Sequence, residues 1–359
     1  MNMPYPDILG FDARIPHRAW RTALAESFAL ISMASPGDVI SIHGPFRVGK
    51  SRLVDELVKM LSVGNVFDET GILPVVRVRA VNQGVNGSFA TKAFSQRLLV
   101  ASKHPIYSSR EFKIQTKGKR LLYESTSEAS YMGAFGEAIV YRKIKFLIID
   151  EAQHVIYVSK GAMAPVAVMD SWKSFAEEHG LVLIIVGTYP VLNVISKSTH
   201  MIGRIQRVHF SRYLETEADL EEFIDIIRVY QGIMNVDESI GSLENHFEML
   251  YKGSLGCIGL LRKWLKTASI FAAASNTSVS MDVLRKAATS KADHEFMLRE
   301  IMEGEHFLQG MFHSKPKQPP PAKNTSHEKE KPKKKGNSKP FQRNPKRMKA
   351  NNRGELNEQ

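Results

Sequence analysis

The chain of 359 residues holds a single cysteine, Cys257. That scarcity excludes an internal disulfide framework and any clustered thiolate metal site, and it points to a reducing compartment, the cytoplasm. Histidines are more numerous, but His43, His154 and the rest show no metal-ligand spacing, so a structural role is the expectation for each. Long apolar runs are missing as well. The amino-terminal MNMPYPDILGFDARIPHRAW is interrupted by polar residues where a secretory leader needs a continuous apolar stretch, and no later segment approaches the length of a membrane span. Neither secretion nor a membrane partner is expected. No internal repeat is present, and the body of the chain lacks a charge bias. The net charge of +12 is concentrated after residue 313, where 14 Lys or Arg stand against 4 Asp or Glu; the first 313 residues hold 35 and 33. The segment 314–359 is rich in Pro, Lys and Asn, with too few apolar residues to offset its ordering entropy, and is expected to be a disordered basic tail.

What is present is a succession of short apolar runs separated by helical patterns. Residues 17–34 place Trp20, Leu24, Phe28 and Ile31 at helical spacing and stop at Pro36-Gly37. VISIHG at 39–44 reads as a strand, followed by a glycine loop and the helical SRLVDELVKMLS. Further strands are expected at PVVRVRAV (74–81), KFLIID (145–150) and LVLIIVG (181–187), with a fifth at RVHFSR (207–212). Near-continuous Val, Leu and Ile runs are what strands buried on both faces of a parallel sheet require. From Glu215 to about Gly304 only helical patterns occur, while residues 101–130 mix strand-like and loop-like signals. The expected fold class is therefore α/β: a P-loop core with a parallel sheet flanked by helices (1–214), a smaller all-α lid domain (215–313) and the tail (314–359), which is the AAA+ layout.

GPFRVGKS at 44–51 matches Gly, four residues, then Gly-Lys-Ser, between a predicted strand and a predicted helix. In that context Gly44, Pro45, Phe46, Arg47, Val48, Gly49, Lys50 and Ser51 form a phosphate cradle for ATP: backbone N–H groups meet the phosphates, Lys50 reaches the β and γ phosphates, and Ser51 ligates Mg2+. The bland reading is a glycine-rich turn. About a hundred residues on, KFLIIDE ends a strand in two carboxylates. Asp150 is placed to hold Mg2+ through water and Glu151 to deprotonate the attacking water, a pairing that suggests hydrolysis rather than storage; a solvated acid pair is the alternative. Thr188, at the end of the next apolar run, sits where an open parallel sheet meets its ligand, the sensor-1 position; it equally suits a cap for the helix beginning near Pro190. Arg204 and Arg207 are candidates for an arginine finger reaching a neighbouring subunit, with structural or nucleic-acid-facing roles as alternatives. Arg262, in GSLGCIGLLRKWL, is a candidate sensor-2 arginine.

The combination of PHRAW before the first helix, GPFRVGKS, LIIDEAQHV at 147–155 and IIVGTYPVL at 184–192 resembles the TnsC/TniB-type transposition ATPases, AAA+ regulators of bacterial transposons. The resemblance covers roughly residues 14–270. It implies ATP-dependent oligomerisation on double-stranded DNA as a ring or helical filament, target selection together with a TniQ-type adaptor, recruitment of a transposase, and a bacterial, nucleoid-associated location. Pro45 and Arg47 depart from the small residues usual in such loops, which puts the hydrolysis rate in question. Independently, Lys103, Lys113, Lys117, Lys119 and Arg120 form a basic candidate for phosphate contacts, with a solvated loop as the alternative, and the tail adds a second. Two other functions compete: a STAND-like nucleotide switch with little turnover, for which Glu151 would matter little, and a small-molecule kinase, for which no substrate segment or lid arginine cluster is evident.

Overall fold

The computed structural model describes residues 11, 15–64, 67–107, 126–158, 161–201 and 203–313. The expectations for Lys113, Lys117, Lys119, Arg120 and the 314–359 tail lie outside the described residues. Helix α1 (Arg18–Met33) leads into β1 (Val39–His43), and the glycine loop joins β1 to α2 (Lys50–Leu61). A single turn, α3 (Phe67–Thr70), precedes β2 (Val75–Arg79) and α4 (Thr91–Ala101). Next come α5 (Glu128–Arg142), β3 (Phe146–Asp150), α6 (Ala164–Glu178), β4 (Val182–Gly187), α7 (Pro190–Ile195) and β5 (Ile205–His209). The fifth strand lies two residues earlier than its apolar pattern suggests. Its register is set by β1, with Val39 opposite Ile205 and His43 opposite His209, and the chain leaves the sheet at Phe210 to pass Gly44.

All pairings are parallel, in the order β2-β3-β4-β1-β5. Alternation along the strands explains why the runs are apolar throughout, since each face has its own helical cover. Ile40, Ile42, Ile148, Ile184 and Val186 pack against Ala23, Ile31, Leu53 and Leu57 of α1 and α2. Val39, Leu147, Ile149, Leu183 and Ile185 pack on the other face against Phe94, Leu98, Tyr131, Phe135 and Trp172 of α4, α5 and α6. The β1 segment needs two covers because it runs through the interior of the sheet.

Beyond β5, residues 217–313 are helical: α8 (Glu217–Gln231), α9 (Phe247–Ser254), α10 (Ile258–Ala274), α11 (Met281–Ala287) and α12 (Lys291–His313). Phe223, Ile227, Tyr230, Leu250, Leu261, Trp264 and Leu265 form their common core, and Phe11 joins it. Among the described residues no helix is long and apolar enough to cross a membrane.

Two buried histidines make this packing sensitive to acid. His17 caps α1: its Nδ1 accepts from the Trp20 N–H at 3.4 Å and lies 3.0 Å from the Tyr213 hydroxyl, so its lone pair is in use. Burial pushes its pKa down to about 4, and burial with the neighbouring His209 and Arg207 pushes His43 down to about 3. Both stay neutral when folded, whereas the unfolded chain takes up protons below its ordinary 6.5. The stability they protect is complete above that value and is lost as pH falls from 6.5 toward 4, by on the order of 1.4 kcal/mol per pH unit per histidine. Urea denaturation at pH 7 and pH 5 is expected to show this loss, and His17→Asn to reduce its slope.

Candidate nucleotide site

The carboxyl ends of β1, β3 and β4 bring the predicted residues to one edge of the sheet, the edge at which open parallel sheets bind ligands. A cavity of about 820 Å3 opens there, lined by the glycine loop from Phe46 to Arg52 and by Glu151, Thr188 and Arg262. His17, Trp20, Tyr230 and Ile258 line it too, giving it an aromatic and aliphatic side beside a polar one. That second set, drawn from α1, α8 and α10, is spread over more than two hundred residues of sequence, and no local pattern marks it.

Within the loop, Gly44 passes so close to β5 that a Cβ would stand 2.1 Å from the Phe210 carbonyl oxygen. Gly49 takes φ 120°, a conformation open to glycine and strained for L side chains. Arg47 departs from the usual composition and adopts φ 60°, at a cost of about 1 kcal/mol. Its carbonyl is held by the Gly259 N–H at 2.9 Å, so the first turn of α10 props the loop in that shape. Lys50 is buried, and its ammonium donates to the Gly44 and Pro45 carbonyls at 2.9 and 2.7 Å. Burial pulls its pKa down to about 8, against the opposing pull of Glu151 and Asp150.

Asp150, at the end of β3, is 2% exposed; one carboxylate oxygen accepts the Glu151 N–H at 2.9 Å and the other pairs with Arg77 at 2.5 Å. Arg77 also pairs with Asp55, tying β2, β3 and α2 together behind the site. Glu151 takes a left-handed turn, φ 57°, that directs the chain into the 3-10 segment Ala152–Tyr157. Its carboxylate accepts from the Gln153 side-chain amide at 2.5 Å, while the Gln153 carbonyl accepts the Thr188 N–H at 3.1 Å. Gln153 therefore connects the two strand ends. No sequence motif marks Gln153, although it stands only two residues after Glu151. Thr188 does not cap α7 with its side chain; its carbonyl accepts the Val191 N–H.

The remaining candidates are dispersed. Arg204 precedes β5 at the opposite edge of the sheet and pairs with Glu177, away from the cavity of its own chain. Arg207 lies within β5 opposite Ser41, half-buried, with its charge disfavoured by burial. Arg262 lines the cavity and donates from Nε to the Phe11 carbonyl. Lys103 follows α4, with its ammonium 3.6 Å from the centre of the Phe67 ring.

The donor set suits a nucleotide with a hard cation. Ser51 offers a hydroxyl at the start of α2 and Asp150 a carboxylate, and oxygen donors of this kind match Mg2+. Among the described residues no cluster of three or more His, Cys, Asp or Glu stands together.

This fold and site define an AAA+ core of the P-loop class, and residues 34–195 match the family model described as "AAA domain". No curated protein matches the chain in sequence. Among solved structures, Cdc6p from Pyrobaculum aerophilum is 15% identical, with 78% of this chain and 70% of that chain covered and a TM-score of 0.50, a likeness of fold. The Walker-type ATPase of Pyrococcus abyssi is 15% identical over 84% of this chain and 78% of its own, at a TM-score of 0.46. The ORC2 protein of Aeropyrum pernix, solved in ADPNP-ADP complexes, is 18% identical over 84% and 74%, also at 0.46.

Proposed function

We propose that this protein is a Mg2+-dependent AAA+ ATPase that assembles on double-stranded DNA and regulates transposition. The observation that carries the ATPase reading is the convergence of Lys50, Glu151 and Thr188 on one cavity at the carboxyl edge of the sheet, with Asp150 buried at the end of β3 directly before Glu151. In this reading the backbone of 44–51 and Lys50 hold the phosphates of ATP, while Ser51 and, through water, Asp150 hold Mg2+. When bound, the nucleotide supplies the phosphoanhydride to be cleaved. Glu151 accepts the proton of the attacking water, and Gln153 fixes the direction of that carboxylate. Thr188 orients the water or the terminal phosphate. Residues 215–313 serve as a lid on the core 1–214, with Arg262 as its phosphate-facing arginine. Arg204 or Arg207 completes the site of a neighbouring copy.

The transposition reading rests on the DEAQHV and VGTYPVL strings, and DNA contact on the basic residues Lys103, Lys113, Lys117, Lys119 and Arg120 with the tail 314–359. Its partners are a transposase and a TniQ-type adaptor. A STAND-like switch with little turnover is favoured by one feature: Lys50, Asp150 and Glu151 are each paired within the protein, to the loop carbonyls, Arg77 and Gln153.

The deciding measurement is negative-stain microscopy with and without double-stranded DNA, in ADP or a slowly hydrolysed triphosphate. Rings or filaments that require both the triphosphate and DNA, and that vanish in Lys50→Ala, are the expected result. A particle of one size in every condition would leave a P-loop ATPase of another kind.

A further inference from the structure

The cavity at the carboxyl edge of the sheet has two chemically different ends. Trp20 belongs to α1, which packs on β1 and β5, and with Tyr230 and Ile258 it makes the aromatic and aliphatic end. The strand order sets β2 on the far side of β3 from β1 and β5, and Arg79, the last residue of β2, lines the cavity from there, beyond Glu151. In register Arg79 stands opposite Asp150. Its backbone is fixed on both sides: Arg97 Nη1 donates to its carbonyl at 3.2 Å, and the next N–H, that of Ala80, donates to the Asp150 carbonyl at 2.8 Å. The guanidinium is free of such ties. Asp150 gives the facing oxygen to Arg77 at 2.5 Å, which leaves Arg79 Nε 3.8 Å from that oxygen, beyond hydrogen-bond length. Among the described residues no hydrogen bond holds the Arg79 side chain, which is 59% exposed against 22% for Arg77.

We infer that Arg79 is a second cation of the phosphate site, contributed by the same chain: its guanidinium binds the terminal phosphate of a nucleoside triphosphate, and a diphosphate ends before reaching it. The inference rests on the ATPase reading above. A nucleotide laid along the edge with its base at the aromatic end runs its phosphates past Lys50 toward Glu151, so the last phosphate is the one nearest β2. A guanidinium presents a planar fork of N–H donors that matches two phosphate oxygens, and such charge-assisted bonds are stronger than neutral ones. The existing contact with Asp150 competes weakly, because an ion pair at that distance with one partner largely in water contributes little. Arg204 and Arg207 require a neighbouring copy to meet a phosphate. Arg79 does not, so the preference for a triphosphate is a property of the single chain.

Equilibrium binding of fluorescent ADP and of a fluorescent, slowly hydrolysed ATP analogue to the full-length protein, with Mg2+ and without DNA, is the test. Arg79→Gln is expected to bind the triphosphate about tenfold more weakly and the diphosphate within about twofold of wild type. Arg79→Lys is expected to recover part of the loss, since it restores the charge without the fork. Retained diphosphate binding shows that the variants are folded. An unchanged triphosphate-to-diphosphate preference in Arg79→Gln would overturn the inference while leaving the ATPase reading intact. Equal weakening of both nucleotides would overturn it too, because it would make Arg79 a support for Asp150 and not a phosphate ligand. Failure of the wild-type protein to bind either nucleotide would overturn both readings.

Discussion

Glu151→Gln is expected to lower ATP turnover by about 10²- to 10⁴-fold, the usual worth of a positioned general base. Nucleotide binding should stay within about threefold of wild type, since an amide of the same shape keeps the local contacts and only proton acceptance is lost. The side chain faces the cavity from a left-handed turn and is held by Gln153, whose other end fixes the Thr188 backbone. Steady-state phosphate release together with equilibrium binding of a labelled nucleotide separates the two effects. Turnover that survives the substitution would favour the switch over the hydrolase.

The second large effect is expected at Gly259→Ala, far from any recognisable motif. A Cβ there would stand 2.2 Å from the Arg47 carbonyl oxygen, a backbone atom that cannot step aside without moving the glycine loop. The same carbonyl accepts the Gly259 N–H, so the clash falls on the contact that supports the strained Arg47 conformation. Overpacking of this kind costs about 1–3 kcal/mol, which corresponds to roughly a ten- to hundredfold loss of nucleotide affinity if the loop absorbs it. Titration calorimetry of the variant, with circular dichroism to establish that the fold persists, checks the expectation. Unchanged affinity would show that α10 does not set the loop's shape.

Both cases show where sequence patterns stopped being readable. GPFRVGKS and KFLIIDE are local: the chemistry requires neighbouring residues on one strand-to-helix turn or at one strand end. Such spacings survive in one dimension. Gly259 is one glycine among the 24 of the chain, and nothing within GSLGCIGLLRKWL ties it to Arg47. Gly304 lies 115 positions after Tyr189, which it meets, on a helix whose own pattern shows only amphipathicity. Arg204 was equally unreadable, because the start of β5 could be located only from its register with β1.

The sequence by itself determined the strand, loop and helix of the phosphate cradle and the acidic pair at the end of β3, and it pointed to the parallel sheet, because continuous apolar runs alternating with helical patterns are what strands covered on both faces require. Only the tertiary structure decided the strand order, the pairing of Asp150 with Arg77, the bridge through Gln153 and the seating of α12 against Tyr189. Those contacts join residues far apart in the chain, and their geometry depends on the packing of every element between them.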